Sequence, residues 1–177
     1  VQGTIAGRTI MINIDGTAAA SSIFTVNSTG VEIAGLAIYK SQGSGISISG
    51  GATAFVWGNY IGTDSTGLAT SLGNSFDGVV CNTFNGTPNS GITIGVDGDN
   101  VNDANEGNLI CANGEDGIFF WTTENSRISG NIIGLNKNGA AAAGFGNVRN
   151  GILATAGSNG NLIGTDGDGV SDNLEGN

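Results

Sequence analysis

The chain has 177 residues, of which 33 are Gly and one is Pro, and 38% of the residues are hydrophobic. This length is enough for one domain with a real core, and the hydrophobic content excludes a disordered chain. The formal net charge is −10, with five basic residues and no His. Because phosphate contacts need clustered Lys and Arg, a nucleic-acid partner is not expected, and no apolar run approaches the roughly 20 residues of a membrane span. A cationic partner suits this charge, and Ca²⁺ is the foremost candidate.

Short strand-like runs recur along the chain, and no segment has the length and periodicity of a long helix. The segment 9–38 is interpreted as strands of the first rungs of a repeat. Four later runs start with Gly followed by Ile or Val, at Gly45, Gly78, Gly117 and Gly151, so their spacings are 33, 39 and 34 residues. We expect almost no helix.

A second strand-like piece, ending near Ile-Gly, follows each of these starts. Each piece leads into a loop of 13 or 14 residues that closes on Gly-Asn, at 62–74, 95–108, 134–147 and 164–177. We expect one loop per unit, always inserted at the same corner of the fold. Strands this short, repeating at this period without helices, are typical of a β-solenoid, in which each rung pairs only with its neighbours.

Three motifs resemble the right-handed parallel β-helix repeats of secreted bacterial proteins, in the pectate-lyase-like superfamily. They are Gly-Ile-Ser-Ile at 45–48, Gly-Asn-Tyr-Ile-Gly-Thr-Asp-Ser-Thr-Gly-Leu-Ala at 58–69 and Asn-Leu-Ile-Gly-Thr-Asp-Gly-Asp-Gly at 161–169. The resemblance covers roughly residues 30–177. It implies an all-β fold in which residues 1–177 form a single-stranded right-handed parallel β-helix (β-solenoid) of about six or seven rungs with corner loop insertions. We expect this single domain to be a fragment of a longer repeat protein.

Alternation along the Gly-Ile strands predicts which side chains face the core. The inward positions form the stacked pairs Ile46/Ile48, Val79/Cys81, Ile118/Phe120 and Ile152/Ala154. A recurrent Asn is expected to stack in a turn, where an amide ladder satisfies backbone groups, at Asn59, Asn108, Asn131 and Asn161. Cys81 and Cys111 lie in strands of different phase, which favours small buried thiols, and a disulfide between them stays open.

The outward positions of the same strands form a partly apolar row. The row consists of Ser47, Val80, Phe119 and Leu153, with Trp121 two residues beyond Phe119. An apolar row on an outer face must be covered or must be a contact surface. Three interpretations remain open: a neighbouring loop covers the row, the chain self-associates through it or through its terminal rungs, or sugars stack on Trp121.

One acidic loop occurs twice, at 95–108 and again 69 residues later at 164–177. In an EF-hand-type scheme the oxygen ligands come from loop positions 1, 3, 5, 7, 9 and 12, with Gly at position 6. Counting from the first Gly of each copy places acidic residues at positions 3, 5, 9 and 12, and position 1 carries no carboxylate. Position 6 of the first copy is Asn100, a residue type that adopts the left-handed conformation comparatively easily. The predicted metal ligands are Asp97, Asp99, Asp103, Glu106, Asp166, Asp168, Asp172 and Glu175.

The acidic loops resemble EF-hand-like and thrombospondin-type calcium loops, which implies Ca²⁺ as the cofactor. The alternative is that they form side-chain-to-backbone turns without a metal. Four carboxylates within ten residues repel one another unless a cation joins them, which favours Ca²⁺. Loop 62–74 keeps only Asp64, and loop 134–147 has Asn136 and Lys137 in place of acids, so whether these two loops bind anything stays open.

No His is present for general acid–base work, and no Ser/His/Asp or Cys/His set can be assembled, so no catalytic residue is predicted. We therefore predict a calcium-binding structural or adhesive β-helix segment of an extracellular or cell-surface bacterial protein. The alternative is a polysaccharide-binding or polysaccharide-cleaving module, which would need a groove with acids and aromatic residues near Trp57 or Trp121.

Overall fold

The computed structural model describes residues 8–10, 12–83, 86–170 and 172–177, so residues 1–7 of the predicted domain and Met11 of its first predicted strand lie outside the described residues. Regular structure in this part of the chain is almost entirely β. The strands are β1 (Ile12–Asp15), β2 (Phe24–Val26), β3 (Val31–Ala34), β4 (Leu36–Tyr39), β5 (Ile46–Ile48), β6 (Ala54–Trp57), β7 (Tyr60–Ile61), β8 (Val79–Cys81), β9 (Asn89–Ser90), β10 (Thr93–Gly95), β11 (Leu109–Ile110), β12 (Ile118–Trp121), β13 (Thr123–Glu124), β14 (Arg127–Ser129), β15 (Ile132–Ile133), β16 (Ile152–Thr155) and β17 (Leu162–Ile163).

Helical structure among the described residues is limited to a 3₁₀ turn at Asp103–Asn105 and to the one-turn helix α1 (Asp172–Glu175). Both lie in the acidic loops. The prediction of an all-β chain with almost no helix is confirmed. None of the helical segments in the described ranges has the length and apolar character needed to cross a membrane.

Fifteen of the strands form three parallel sheets of five strands each. Sheet A has the order β1-β4-β7-β11-β15, sheet B the order β2-β5-β8-β12-β16, and sheet C the order β3-β6-β10-β14-β17. The chain therefore passes through sheets A, B and C in the same order five times, and we call each passage a circuit. Five circuits are described, compared with the six or seven rungs predicted. β9 and β13 form a further two-stranded parallel sheet after the chain leaves sheet B.

The main hydrophobic core combines buried side chains from all three sheets. Parallel pairing in sheet B aligns equivalent positions of successive circuits, so that Ile46 pairs with Val79 and Val79 with Ile118. The predicted inward pairs of β5, β8 and β12 are buried. In the last pair, by contrast, Ile152 is half-buried and Ala154 is exposed. The reason is that β16 is the edge strand of sheet B and has a neighbouring strand on one side only.

A second, smaller hydrophobic cluster lies against the opposite face of sheet A. Along the strands of sheet A, the residues of this cluster alternate with the residues that enter the main core. Phe145 from loop 134–147 packs onto the residues of the smaller cluster. Cys111 belongs to this cluster and Cys81 belongs to the main core. The two thiols are free and buried, and burial raises the pKa of each. The structure therefore contains them as small buried side chains without a disulfide.

The long loops leave the circuit at two corners, which corrects the expectation of one shared corner. Loops 62–74 and 134–147 follow strands of sheet A, whereas the acidic loops 95–108 and 164–177 follow strands of sheet C. The third and fifth circuits each carry two long loops, one after the strand of sheet A and one after the strand of sheet C. The fourth circuit, which lies between them, carries neither. The repeat unit is therefore two circuits. Sequence spacing missed this arrangement because the same Ile-Gly ending precedes loops at both corners.

Columns of Asn side chains connect successive circuits at the corners. In the first column the Nδ2 group of each Asn donates to the Oδ1 atom of the next, at 3.1, 2.9 and 2.9 Å. Its members are Asn59, Asn108, Asn131 and Asn177. Asn161, which was predicted to stack here, lies at another corner, where its Oδ1 atom accepts from the backbone N–H of Ser126 at 3.0 Å. A second column contains Asn74, Asn113 and Asn147.

Candidate metal centre

The first acidic loop begins at Gly95, directly at the end of a strand of sheet C. Gly95 has a φ of 99°, and a Cβ there would lie 1.9 Å from the backbone oxygen of Ser129, so no other residue fits. Asn100 has a φ of 65°, which confirms the left-handed conformation expected at position 6. At the far end of the loop, the backbone oxygen of Glu106 accepts a hydrogen bond from Gly58 at 2.7 Å. The loop is thus fixed at both ends to the sheets.

This loop brings four predicted ligands together. Asp97, Asp99, Asp103 and Glu106 each offer one carboxylate oxygen, and these oxygens all lie within 4.8 Å of one another. Asp103 stands at the start of the 3₁₀ turn that closes the loop. Asp103 and Glu106 are buried, Asp97 is half-buried and Asp99 is exposed. The four carboxylates therefore converge on one place. Asp103 and Glu106 lie on its buried side, and Asp99 lies on its solvent-exposed side.

Backbone hydrogen bonds fix three of these carboxylates. Glu106 Oε2 accepts from the Asp97 N–H at 3.1 Å, and Asp97 Oδ1 accepts from the Asp99 N–H at 3.1 Å. Asp99 Oδ1 accepts from the N–H of Val101 at 2.7 Å. Each of these bonds involves one oxygen of its carboxylate. The second oxygen of each group can therefore coordinate a cation without breaking the loop.

The fourth carboxylate, Asp103, carries the least compensated charge. Its side chain is 5% exposed, and both of its oxygens are buried without a hydrogen-bond partner among the described residues. Burial is also the main reason that the pKa of Glu106 is raised to about 7, and the nearby carboxylates of Asp97, Asp103 and Asp99 add to the rise. A buried charge without a partner is costly unless a counter-ion compensates it. Among the described residues, no ion pair compensates the carboxylates of the first loop.

The second acidic loop repeats the backbone geometry of the first. Glu175 Oε2 accepts from the Asp166 N–H at 3.2 Å, and Asp166 Oδ1 accepts from the Asp168 N–H at 3.2 Å. Asp168 Oδ1 accepts from the N–H of Val170 at 2.7 Å. Three carboxylates of this loop, Asp166, Asp168 and Asp172, offer oxygens within 4.8 Å of one another, whereas the fourth predicted ligand, Glu175, is not part of this group. The internal repeat is therefore a repeat of three-dimensional structure.

The acidic side chains of the second loop already have partners. Asp172 accepts hydrogen bonds from Thr165 Oγ1 at 2.6 Å and from the N–H of Gly169 at 3.0 Å. Glu175, which is 1% exposed, pairs with Arg127 Nη2 at 2.5 Å. Sequence reasoning assigned no role to Arg127. The sequence feature that indicates a role for Arg127 is a basic residue at an outward strand position beside an acidic loop.

The outer faces of sheets B and C carry the remaining sequence-predicted surfaces. On sheet B, Ser47, Val80, Phe119 and Leu153 pair in register as one row. Val80 in this row is buried, while Trp121 beyond it is 41% exposed. On sheet C, the rings of Phe55 and Trp57 lie 6.0 Å apart at an angle of 37°, and Trp57 Nε1 donates to Glu32 Oε1 at 2.5 Å.

Comparison with known proteins does not identify a family for this chain. No protein-family model matches it, and neither a curated protein nor a solved structure matches it. The structure itself establishes an all-β chain of parallel sheets, with almost no helix in its described part, and acidic groups that could hold a metal ion. The function proposed below therefore rests on the residues and their geometry.

Proposed function

We propose that the chain is a single right-handed parallel β-helix whose acidic loops bind Ca²⁺, and that it serves as a structural or adhesive repeat segment of an extracellular or cell-surface protein. The repeated A, B, C order of the sheets and their in-register parallel pairing support the β-helix. Crossovers between parallel strands are almost always right-handed, which supports the handedness.

The observation that carries the calcium proposal is the Asp103 carboxylate. Exposed acidic clusters are common without a metal, but Asp103 is buried and neither of its oxygens has a hydrogen-bond partner in the described part of the chain. Three further carboxylates converge on the same place. A divalent cation would compensate all four charges together, and it would supply the missing partner of Asp103.

The chemistry of the ligands favours Ca²⁺ among divalent cations. The side chains in the cluster offer carboxylate oxygens alone, and hard cations such as Ca²⁺, Mg²⁺ and Mn²⁺ prefer such ligands. Ca²⁺ accepts six to eight oxygens in flexible geometry, so backbone carbonyls and water can complete an irregular loop, whereas Mg²⁺ requires a near-ideal octahedron. Position 1 of each loop has no side-chain ligand, and affinity in the range of about 10⁻⁴ to 10⁻³ M is expected. That range suits extracellular calcium.

The ion would have a structural role. The first loop spans from sheet C to sheet A and is held at its end by the hydrogen bond between Glu106 and Gly58. Binding a cation among its four carboxylates would remove their mutual repulsion and hold the loop against the sheets. A repeat protein whose circuits contact only their neighbours gains stability from such local fixation.

Isothermal titration calorimetry with CaCl₂ on chelator-stripped protein tests this function. We expect saturable binding in the wild type and at least about 10-fold weaker binding at the first loop in Asp103→Ala. Asp64→Ala is the matched control, because Asp64 also accepts a turn hydrogen bond in a long loop but lies outside both clusters. Absence of binding heat at millimolar Ca²⁺, or equal binding by wild type and Asp103→Ala, would refute the proposal.

A carbohydrate-contacting surface is the second candidate, and the aromatic pair on sheet C favours it. Phe55 and Trp57 adjoin Glu32, and a shallow depression of about 340 Å³ includes Phe55 and Glu32 in its lining. Tryptophan faces and acidic hydrogen-bond acceptors are groups that bind sugars. Soluble acidic and neutral polysaccharides should quench Trp fluorescence in the wild type and less in Trp57→Ala, with Trp121→Ala as control. Equal quenching in both variants would remove this candidate.

A further inference from the structure

The two acidic loops differ in the charges that surround them. None of the ion pairs among the described residues includes a carboxylate of the first loop, whereas two of the four pairs include carboxylates of the second. Arg127 is the cation in both of those pairs. Three backbone hydrogen bonds recur in both loops, whereas the ion pairs with this neighbouring side chain occur in the second loop.

Arg127 lies on β14 in the fourth circuit, between the circuits that carry the acidic loops. Its Nη2 atom pairs with Glu175 Oε1 at 2.5 Å and with Asp166 Oδ2 at 3.3 Å. Its Nη1 atom donates to the backbone oxygen of Asp97 at 3.1 Å. The guanidinium side chain is 19% exposed. Arg127 thus places its charge against the carboxylates of the second loop, while it touches the first loop only through the backbone.

The register of sheet C explains why no cation on this sheet pairs with the first loop among the described residues; Arg8, which precedes β1, reaches that loop only at the backbone oxygen of Gly107. Arg127 pairs with Thr93, and Thr93 pairs in turn with Phe55. Phe55 therefore occupies, two circuits earlier, the position that Arg127 occupies beside the second loop. A phenyl ring in this place gives no charge to Glu106, the counterpart of Glu175.

We infer that Arg127 is a built-in counter-ion of the second acidic loop and that it sets the order in which the two loops bind Ca²⁺. This inference rests on the proposed function. In the second loop a divalent cation must compete with the guanidinium for Asp166, and it is repelled by the positive charge, while the guanidinium holds Glu175 outside the group of three carboxylates. Among the described residues no ion pair engages a carboxylate of the first loop, so the first loop fills first. The chain therefore has a stronger site at Asp97, Asp99, Asp103 and Glu106, and a weaker site at the second loop.

Calcium titration calorimetry on Asp103→Ala isolates the second loop, because this change removes a ligand of the first. Adding Arg127→Gln should raise the Ca²⁺ affinity of the second loop by about 10-fold or more. Arg149→Gln in the same background is the control for overall charge, because Arg149 pairs with Glu115 outside the acidic loops and is 60% exposed. If Arg127→Gln does not fold, Arg127→Phe, which copies Phe55, should have the same effect.

The outcomes separate this inference from the proposed function. Stronger binding after Arg127→Gln, with no change after Arg149→Gln, supports Arg127 as the counter-ion. Equal affinity with and without Arg127, or equal affinities of the two loops in the wild type, overturns the inference and leaves the calcium site of the first loop intact. A wild type that binds no Ca²⁺ overturns the proposed function before the comparison is made.

Discussion

Asp77 and Asp103 are both buried aspartates, but their surroundings differ. Asp77 Oδ1 accepts a hydrogen bond from the Asp116 N–H at 3.0 Å, and Asp77 Oδ2 accepts one from Ser44 Oγ at 3.4 Å. One circuit later, Asp116 Oδ1 accepts in the same way from the N–H of Asn150 at 2.9 Å. Asp77 therefore belongs to a column that satisfies backbone donors, whereas neither oxygen of Asp103 has such a partner among the residues that the structure describes. The residue type alone does not separate the two roles.

Replacing Asp103 with Asn should have opposite effects in the absence and in the presence of calcium. In chelator, Asp103→Asn should unfold at a higher temperature than the wild type, because it removes a buried unpaired charge, with a gain of about 1–3 kcal/mol. In millimolar Ca²⁺ the order should reverse, because the variant loses a ligand. Thermal unfolding followed by circular dichroism measures both. A variant that is less stable than the wild type in chelator would contradict the account of Asp103.

Asp77 should make stability depend on pH. Burial raises the pKa of Asp77 from its ordinary value of 3.8 to about 6 in the folded state, the charges of Asp116 and Glu115 add to the rise, and hydrogen bonds from Asp116 and Ser44 oppose it. The folded protein therefore holds this proton more tightly than the unfolded chain. The resulting stabilisation is present below about pH 4 and is lost as the pH rises through 6.

The matched variant for this pH effect is Asp77→Asn, whose amide oxygen can still accept from Asp116. We expect the wild type to lose about 1–2 kcal/mol more than Asp77→Asn between pH 4 and pH 7, since solvent screens part of the full shift. Urea unfolding in chelator across this range measures the difference, with Asp64→Asn as a control. Parallel pH profiles for wild type and Asp77→Asn would show that Asp77 does not titrate in this way.

At the scale of elements, the Asn columns connect successive circuits. The strands are only two to four residues long, so strand pairing alone holds neighbouring circuits together weakly. Asn108 is fully buried, accepts from the N–H of Asn59 at 2.9 Å and donates to the backbone oxygen of Val56 at 2.8 Å. It also donates to Asn131 Oδ1 at 2.9 Å. One side chain thus satisfies backbone groups of the second and third circuits. The columns are structural elements in their own right.

Truncating this side chain should destabilise the whole fold. Asn108→Ala leaves a buried donor and a buried acceptor without partners, so the free energy of unfolding should fall by about 2–4 kcal/mol. Asn138→Ala, in an exposed turn of loop 134–147, should cost less than about 1 kcal/mol. Urea denaturation of both variants provides the comparison. Similar losses in the two variants would mean that the column contributes little.

Short-range sequence patterns predicted the strands and the acidic loops because both depend on local chemistry. Alternation gave the inward positions of β5, β8 and β12, and the spacing of acids gave the cluster of four carboxylates in the first loop. The corner that each loop occupies depends on which sheet the preceding strand joins, and the sequence shows only the same Ile-Gly ending. The roles of Arg127 and Asn177 depend on contacts across 39 or more residues, which local spacing does not encode.

At the scale of the whole molecule, three parallel sheets contribute side chains to the main hydrophobic core, and the acidic loops lie at one corner of the third and fifth circuits. Because each circuit pairs with its neighbours through all three sheets, fixing one loop affects the circuits on either side. The carboxylate-rich corner also accounts for eight of the fifteen acidic residues of the chain. Self-association through the row at Val80 and Phe119 or through the terminal rungs stays one of three open interpretations, beside coverage by a loop and sugar stacking on Trp121.

Calcium should therefore stabilise the entire domain. For a site with a dissociation constant near 10⁻⁴ M, 1 mM Ca²⁺ adds about 1.4 kcal/mol to the free energy of unfolding. For a domain of this size that corresponds to a rise in melting temperature of about 3–5 °C. Differential scanning calorimetry in chelator, in Ca²⁺ and in equimolar Mg²⁺ measures the effect, and Mg²⁺ should have less influence. Identical melting curves in chelator and Ca²⁺ would contradict a structural role for the ion.

The most direct test of the account is a crystal structure of the protein grown in millimolar CaCl₂. It should contain an ion bound by oxygens of Asp97, Asp99, Asp103 and Glu106, at about 2.3–2.6 Å, beside three parallel sheets that wind in one right-handed helix. A first acidic loop without an ion at that calcium concentration, with Asp103 paired to another protein group, would contradict the central claim.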